Sequence, residues 1–230
     1  MHRITPRLAR RAACAAVAVP VLLVAGCSSD SDGKEPSGSP TSASASAPEQ
    51  KQDSAGHKDL PDPCKTLSGK SVEDMVPGTD DKSGKNLASS DTGSYGACFW
   101  SGGSGDIDAE YRALTVSLKR YESDSSLGSG TEQASRFYEQ ELKAVSSDEA
   151  HKKPEETKVS GTGQNAVAVT YETVKKDNTY RATRVVVRDE NVVVTVDYEG
   201  TGFEDADPPS RDEVRKNAEK VAKEATGSIE

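Results

Sequence analysis

The chain has 230 residues, 33% of them apolar and 5% aromatic, with a formal net charge of −9. So lean an apolar content fits one globular domain with appendages and excludes a multi-span membrane protein, a collagen-like chain or a disulfide-dense mini-scaffold. The acidic balance excludes nucleic-acid binding as a main activity, because that affinity rests on clustered Lys and Arg.

Residues 1–26 read as an export signal. Arg3, Arg7, Arg10 and Arg11 form a basic start with no acidic residue among them, and an apolar run from Ala12 to Ala25 follows, interrupted by Pro20. At 14 residues the run is too short to cross a bilayer, which takes about 20. It has the length of a secretory core instead. The run ends Val24-Ala25-Gly26-Cys27, which looks like a bacterial lipobox. Small residues let such a segment lie extended in a peptidase groove, and the Cys27 thiol is the one side chain there able to take a thioether-linked diacylglyceryl group. Two or more acyl chains, at about 0.8 kcal/mol per buried methylene, hold a protein to a membrane far better than one. The Arg10-Arg11 pair leaves both general and twin-arginine export open. Without its four signal arginines the chain has 25 basic and 38 acidic residues, a net −13. An anionic membrane surface repels such a protein, so attachment is expected through lipid rather than a basic patch.

Residues 27–59 read as a lipidated, disordered tether. The segment is mostly Ser, Pro, Ala, Gly and charge, as in the run from Ser37 to Pro48, and offers no large apolar side chains to offset its ordering entropy. Its length predicts an average span of about 30 Å and a full reach of about 110 Å.

Residues 60–230 read as one extracytoplasmic domain. Leu, Ile, Val and Phe number only 29 of its 171 residues, yet they fall in short periodic segments with charge between them. Three helices are expected. The first carries Val72, Met75 and Val76 behind a Ser71 cap and stops at Pro77-Gly78. A second aligns Ala134, Phe137, Tyr138, Leu142 and Val145 behind a Ser129-to-Glu132 capping box. The third aligns Val214, Ala218, Val221, Ala222 and Ala225 behind Ser210 and Glu213, with Gly227 at its end.

Five strands are expected over residues 94–100, 113–121, 165–174, 180–188 and 192–199, the last three joined by turns short enough for antiparallel hairpins. Val185-Val186-Val187 and Val192-Val193-Val194 are apolar on both faces, so the middle of the sheet should be covered on both sides. The order α-β-β-α-β-β-β-α predicts an α+β fold: a mostly antiparallel five-stranded sheet flanked by helices.

Of four cysteines, Cys14 leaves with the signal and Cys27 takes lipid, leaving Cys64 and Cys98. Outside the cytoplasm a disulfide between them is the expected state. Closing a loop of about 35 residues contributes on the order of 4 kcal/mol by chain entropy.

Asp62-Pro63-Cys64-Lys65-Thr66-Leu67 before a short helix, Gly96-Ala97-Cys98-Phe99-Trp100-Ser101, and the Gly-rich stretch Val159-Ser160-Gly161-Thr162-Gly163-Gln164-Asn165-Ala166 resemble a recurring pattern. It is that of actinobacterial lipoproteins grouped as domain of unknown function 3558, in which a Pro-Cys-x-Leu-Leu start and a Cys-x-Trp strand are typical. Thr66 stands where a leucine is usual. The resemblance implies a surface lipoprotein with a helix-flanked sheet, and it supplies no catalytic residues.

No catalytic constellation is legible. Asp91-Thr92-Gly93-Ser94 matches the aspartic-protease tetrapeptide, but no hydrophobic strand precedes it and there is no second copy to share the proton, so it reads as a turn before a strand. There is no G-x-S-x-G elbow and no phosphate loop, and Gly102-Gly103-Ser104-Gly105 reads as a flexible strand connection. His151 is the only histidine after residue 57, which leaves neither a histidine triad nor a two-cysteine metal site. Glu204-Asp205-Ala206-Asp207 reads as a solvated acidic loop.

The expected function is therefore a membrane-anchored, non-catalytic binding or interaction module without cofactor, its partner an envelope protein or small ligand. The alternative is a carrier or sensor of a small apolar or envelope-derived ligand. A hydrolase using carboxylates such as Asp106 and Asp108 stands third.

Overall fold

The structure, a computed structural model, describes residues 56–87, 91–104, 110–203 and 206–229. The export signal, Cys27, residues 28–55 of the tether, and Asp106 and Asp108 lie outside them.

Seven strands form one antiparallel sheet in the order β1-β2-β3-β7-β6-β5-β4. They are β1 (Lys85–Asn86), β2 (Tyr95–Ser104), β3 (Glu110–Arg120), β4 (Lys152–Lys158), β5 (Asn165–Lys175), β6 (Asn178–Asp189) and β7 (Val192–Gly202). A 3-10 helix (Pro63–Lys65) and helices α1 (Gly69–Met75), α2 (Gly130–Ser147) and α3 (Arg211–Thr226) complete the fold, which is α+β. The expected five strands correspond to β2, β3, β5, β6 and β7. The two additional ones are the two edges of the sheet. β1 is two exposed residues; β4, Lys-Lys-Pro-Glu-Glu-Thr-Lys, has no apolar alternation and shifts register between Lys152 and Glu155. Short, charged, Pro-bearing or irregular strands are what an edge tolerates, because they discourage pairing with a second chain. The same features erase the periodic signal of a strand.

The hairpins follow from their turns. Lys176 and Asp177 between β5 and β6, and Glu190 between β6 and β7, have positive φ, the twist-matched geometry of two-residue hairpins. Strand β7 then returns beside β3, with Val196 opposite Val116 and Val194 opposite Leu118.

Alternation sends side chains to two different environments. On one face Leu114, Val116 and Leu118 of β3, Val185 and Val187 of β6, and Val194 and Val196 of β7 pack against Val214, Ala218, Val221 and Ala222 of α3 and Val72 and Met75 of α1. On the other face, Val186 and Val193 meet Ala134 of α2, while Val169 and Tyr171 meet Val145. The triple-valine runs are thus sandwiched, as their two-sided apolar character requires.

Local details depart from the sequence reading at three places. The cap of α1 is Ser68, whose Oγ accepts from the Ser71 N–H at 3.1 Å. Ser71 instead donates its hydroxyl to Glu224 of α3 at 2.5 Å, and Glu224 also accepts from the Ser68 N–H at 2.8 Å. Gly102, Gly103 and Ser104 are not a loose connection but the paired end of β2. A Cβ at Gly102 would lie 2.6 Å from the Pro77 carbonyl oxygen, so glycine lets the α1–β1 connection cover that edge. Finally, residues 56–59, read as tether, are held against the β6–β7 turn. The buried Asn191 side chain accepts from the His57 N–H at 2.8 Å and donates to the His57 carbonyl at 3.1 Å, while the His57 ring lies 3.2 Å from Asp189. Backbone-to-amide docking needs no apolar residue, so no hydrophobic pattern announces it.

Candidate functional site

A disulfide joins Cys64 to Cys98, with Cα atoms 5.1 Å apart, tying the 3-10 helix to β2 beneath α1. Trp100, two residues on and buried, donates its indole N–H to the Lys82 carbonyl, and the buried Tyr198 hydroxyl donates to that of Met75. These groups build the α3 side of the sheet.

The opposite face is different. Helix α2 starts at the β7 end nearest Asn191, where a Cβ on Gly130 would lie 2.4 Å from the Tyr121 carbonyl, and it crosses β5, β6 and the start of β7. Its capping box is complete, Ser129 accepting from the Glu132 N–H and Glu132 from the Ser129 N–H. Strands β2 and β3 extend beyond its reach. Register places three cross-strand rows on this side: Tyr95, Lys119 and Val193; Ala97, Ser117 and Thr195; Phe99, Thr115 and Asp197. The flank of α2 contributes Phe137 and Glu141. Between helix and rows lies an open groove of about 280 Å³.

The charges of the groove are arranged among themselves. Arg184 of β6 reaches both carboxylate oxygens of Asp197, its cross-strand partner, at 2.7 and 3.1 Å, and Glu141 at 3.0 Å. Burial works against the guanidinium, but the Asp197 carboxylate and then Glu141 outweigh it and hold its pKa above the ordinary arginine value. The Lys119 ammonium rests over the Phe137 ring at 4.2 Å and over Tyr121 at 5.3 Å. Burial, helped by Glu141, pushes the Tyr121 phenol up to about 12, so it stays neutral at physiological pH.

Two larger depressions, of about 410 and 780 Å³, flank the incoming chain and share Gly56, His57 and Lys58 as walls. Their other linings include exposed or half-exposed charges such as Lys58, Glu122 and Glu190. Unlike them, the groove beside α2 is walled entirely by secondary-structure elements, and a site on such elements holds its geometry best.

The residues singled out for chemistry do not converge. Asp91 sits in an exposed turn, where it accepts from the Ser94 hydroxyl and the Tyr95 N–H bonds to its carbonyl. His151 bonds the Val145 carbonyl at 2.8 Å and stacks on Tyr171 at 3.7 Å, finishing α2. Asp207 is exposed, and Glu204 and Asp205 lie outside the described residues. Among the described residues no group of three or more His, Cys, Asp or Glu is placed to hold a metal ion. None of their helices is long and apolar enough to cross a membrane. Sequence alternation marks Ser117 and Thr195 as the polar side of their strands. Nothing in it says that they border an open groove.

Two solved structures share distant likeness. LpqN of Mycobacterium tuberculosis, described as involved in cell envelope biogenesis, has 14% identity and a TM-score of 0.31, over 65% of this chain and 79% of that one. The human StarD13 lipid transfer and protein localization domain has 10% identity and a TM-score of 0.27, over 70% and 93%. Likenesses so distant leave function to be read from this chain's own residues. No curated protein matches the chain. The family described as "Protein of unknown function (DUF3558)" matches over residues 22–224, and the chain belongs to that family.

Proposed function

We propose that the chain is a lipid-anchored, non-catalytic binding module on the outer face of the cytoplasmic membrane, with its ligand in the groove between α2 and the rows of β2, β3 and β7. The observation that carries this reading is the division of the sheet: one face packs the main core under α1 and α3, while the other ends its helical cover partway and exposes a shaped recess. The lipobox at Cys27, the basic signal before it and the Ser/Pro/Ala-rich spacer after it support attachment by lipid. The groove also lies near the first described residues of the chain, because Val193 on the groove floor lies two residues from Asn191, which bonds His57.

The paired state of the groove's charges supports a non-catalytic reading: Arg184 bonds both Asp197 and Glu141, so neither carboxylate stands alone as an acid or base. An apolar carrier would need a dry, enclosed cavity, and this groove is open and lined in part by four charged side chains.

The test places a photocrosslinking amino acid at Ser117 on the groove floor or at Lys216 on the exposed side of α3, in intact cells. The proposal expects envelope components captured from position 117 and not from 216. Equal capture from both, or capture from 216 alone, would contradict it. Recovery of the protein from washed membranes with a diacylated Cys27, and its release by Cys27→Ser, tests the anchor.

A further inference from the structure

We infer that the groove holds one ring of a neutral, polyhydroxylated ligand: a hexose or pentose unit of a glycan. The inference rests on the groove being the binding site and names its substrate class from the chemistry of the lining.

Charge argues first. The lining contains two cations, Lys119 and Arg184, and two carboxylates, Glu141 and Asp197, so its formal sum is zero. Arg184 spends its donors on the two carboxylates, and Lys119 lies against aromatic rings. A phosphate or sulfate would have to displace Asp197 and Glu141 from the guanidinium, and a cationic ligand would have to displace the guanidinium from them. The guanidinium and the two carboxylates are already matched to one another, which leaves the Lys119 ammonium as the one lining charge without an ion pair among the described residues.

Hydroxyls open to solvent argue second. Ser117 and Thr195 are direct cross-strand partners on the groove floor, and Tyr95 stands at its lip. None of their three hydroxyls makes a hydrogen bond among the described residues, although Thr195 is only 8% exposed. An apolar occupant would strip water from these groups and return nothing, leaving each at the cost of an unmade hydrogen bond. A polyol gives every one of them a donor or acceptor, as it does the Lys119 ammonium.

Shape argues third. Tyr95, 38% exposed, offers one aromatic wall, Phe137 capped by the Lys119 ammonium forms another, and the small side chains of Ser117, Val193 and Thr195 belong to the same lining. The C–H faces of a sugar ring suit such walls while its rim of hydroxyls turns to the floor, and about 280 Å³ accommodates one ring with a few waters.

The experiment uses the full acylated chain in nanodiscs and saturation-transfer NMR with methyl glycosides of the common neutral hexoses and pentoses, with palmitate and inorganic phosphate as contrasting probes. At least one neutral glycoside should receive saturation in the millimolar range. Tyr95→Ala, which removes a wall, and Thr195→Val, which keeps the shape and removes a hydroxyl, should each weaken it about 3- to 10-fold. Circular dichroism confirms that both variants fold. Saturation of palmitate or phosphate alone, lost in Tyr95→Ala, would overturn the sugar assignment and leave the groove as the binding site. A glycoside whose affinity neither variant changes would place the sugar elsewhere and overturn both. No transfer to any neutral glycoside overturns the assignment.

Discussion

The two faces of one sheet are built from alternate residues of the same strands, yet they have opposite fates. Leu114, Val116 and Leu118 of β3 are fully buried under α1 and α3, whereas Thr115, Ser117 and Lys119 between them stay partly open beside α2. The packed face supplies most of the large buried side chains, including Trp100 and Tyr198, and the disulfide. A chain with so few apolar residues cannot fill two complete cores, and concentrating them on one side leaves the other side free to be shaped for something else.

Emptying an apolar site or opening the disulfide on the packed side should therefore cost more than changes on the open one. Replacing both Cys64 and Cys98 with serine should lower unfolding free energy by about 4 kcal/mol on chain-entropy grounds, read from denaturant titration with and without reductant. Leu114→Ala should cost about 3 kcal/mol by the same titration, since it empties a fully buried site. On the open face the largest effect belongs to Arg184→Met. That substitution leaves Asp197 and Glu141 facing each other without their cation, at about 2 kcal/mol.

Glu224→Gln comes next, at about 1 kcal/mol, and carries a pH signature. Burial raises the Glu224 pKa, but hydrogen bonds from the Ser71 hydroxyl and the Ser68 N–H outweigh it and hold the pKa below the ordinary glutamate value. Its contribution is complete above the unfolded-chain pKa and is lost as pH falls through the lower folded one. The variant should lose that acid-side dependence in thermal melts across mildly acidic pH. Smallest of all is Ser117→Ala, expected within about 0.5 kcal/mol of the parent. If it matched Leu114→Ala, the contrast between the faces would be wrong.

Much of the packed side is legible in the chain because packing writes periodicity. Val214, Ala218, Val221 and Ala222 predict α3 and its buried stripe, the triple valines predict a two-sided cover, and Ser129 with Glu132 predicts the α2 cap. Segments held by polar or backbone bonds leave no such trace. Lys85–Asn86 joins the sheet through main-chain pairing, Lys152–Lys158 through main-chain pairing and polar contacts such as Lys153 with Glu172 and Glu156 with Ser146, and His57 is caught by an asparagine 134 residues away. The groove was invisible for a further reason. Ser117 and Thr195 become its floor only because β7 returns to β3 and α2 stops short, and both are properties of topology rather than of any local pattern.

The central claim is that the helix-free half of the α2 face is the working surface. Chemical-shift mapping of the isotope-labelled full chain in nanodiscs, before and after addition of cell-envelope extract, tests it most directly. The account predicts shifts concentrated at Tyr95, Ser117, Lys119 and Thr195 with α3 unmoved. Shifts confined to the exposed side of α3 or to the β4 edge, with the groove residues silent, would contradict it.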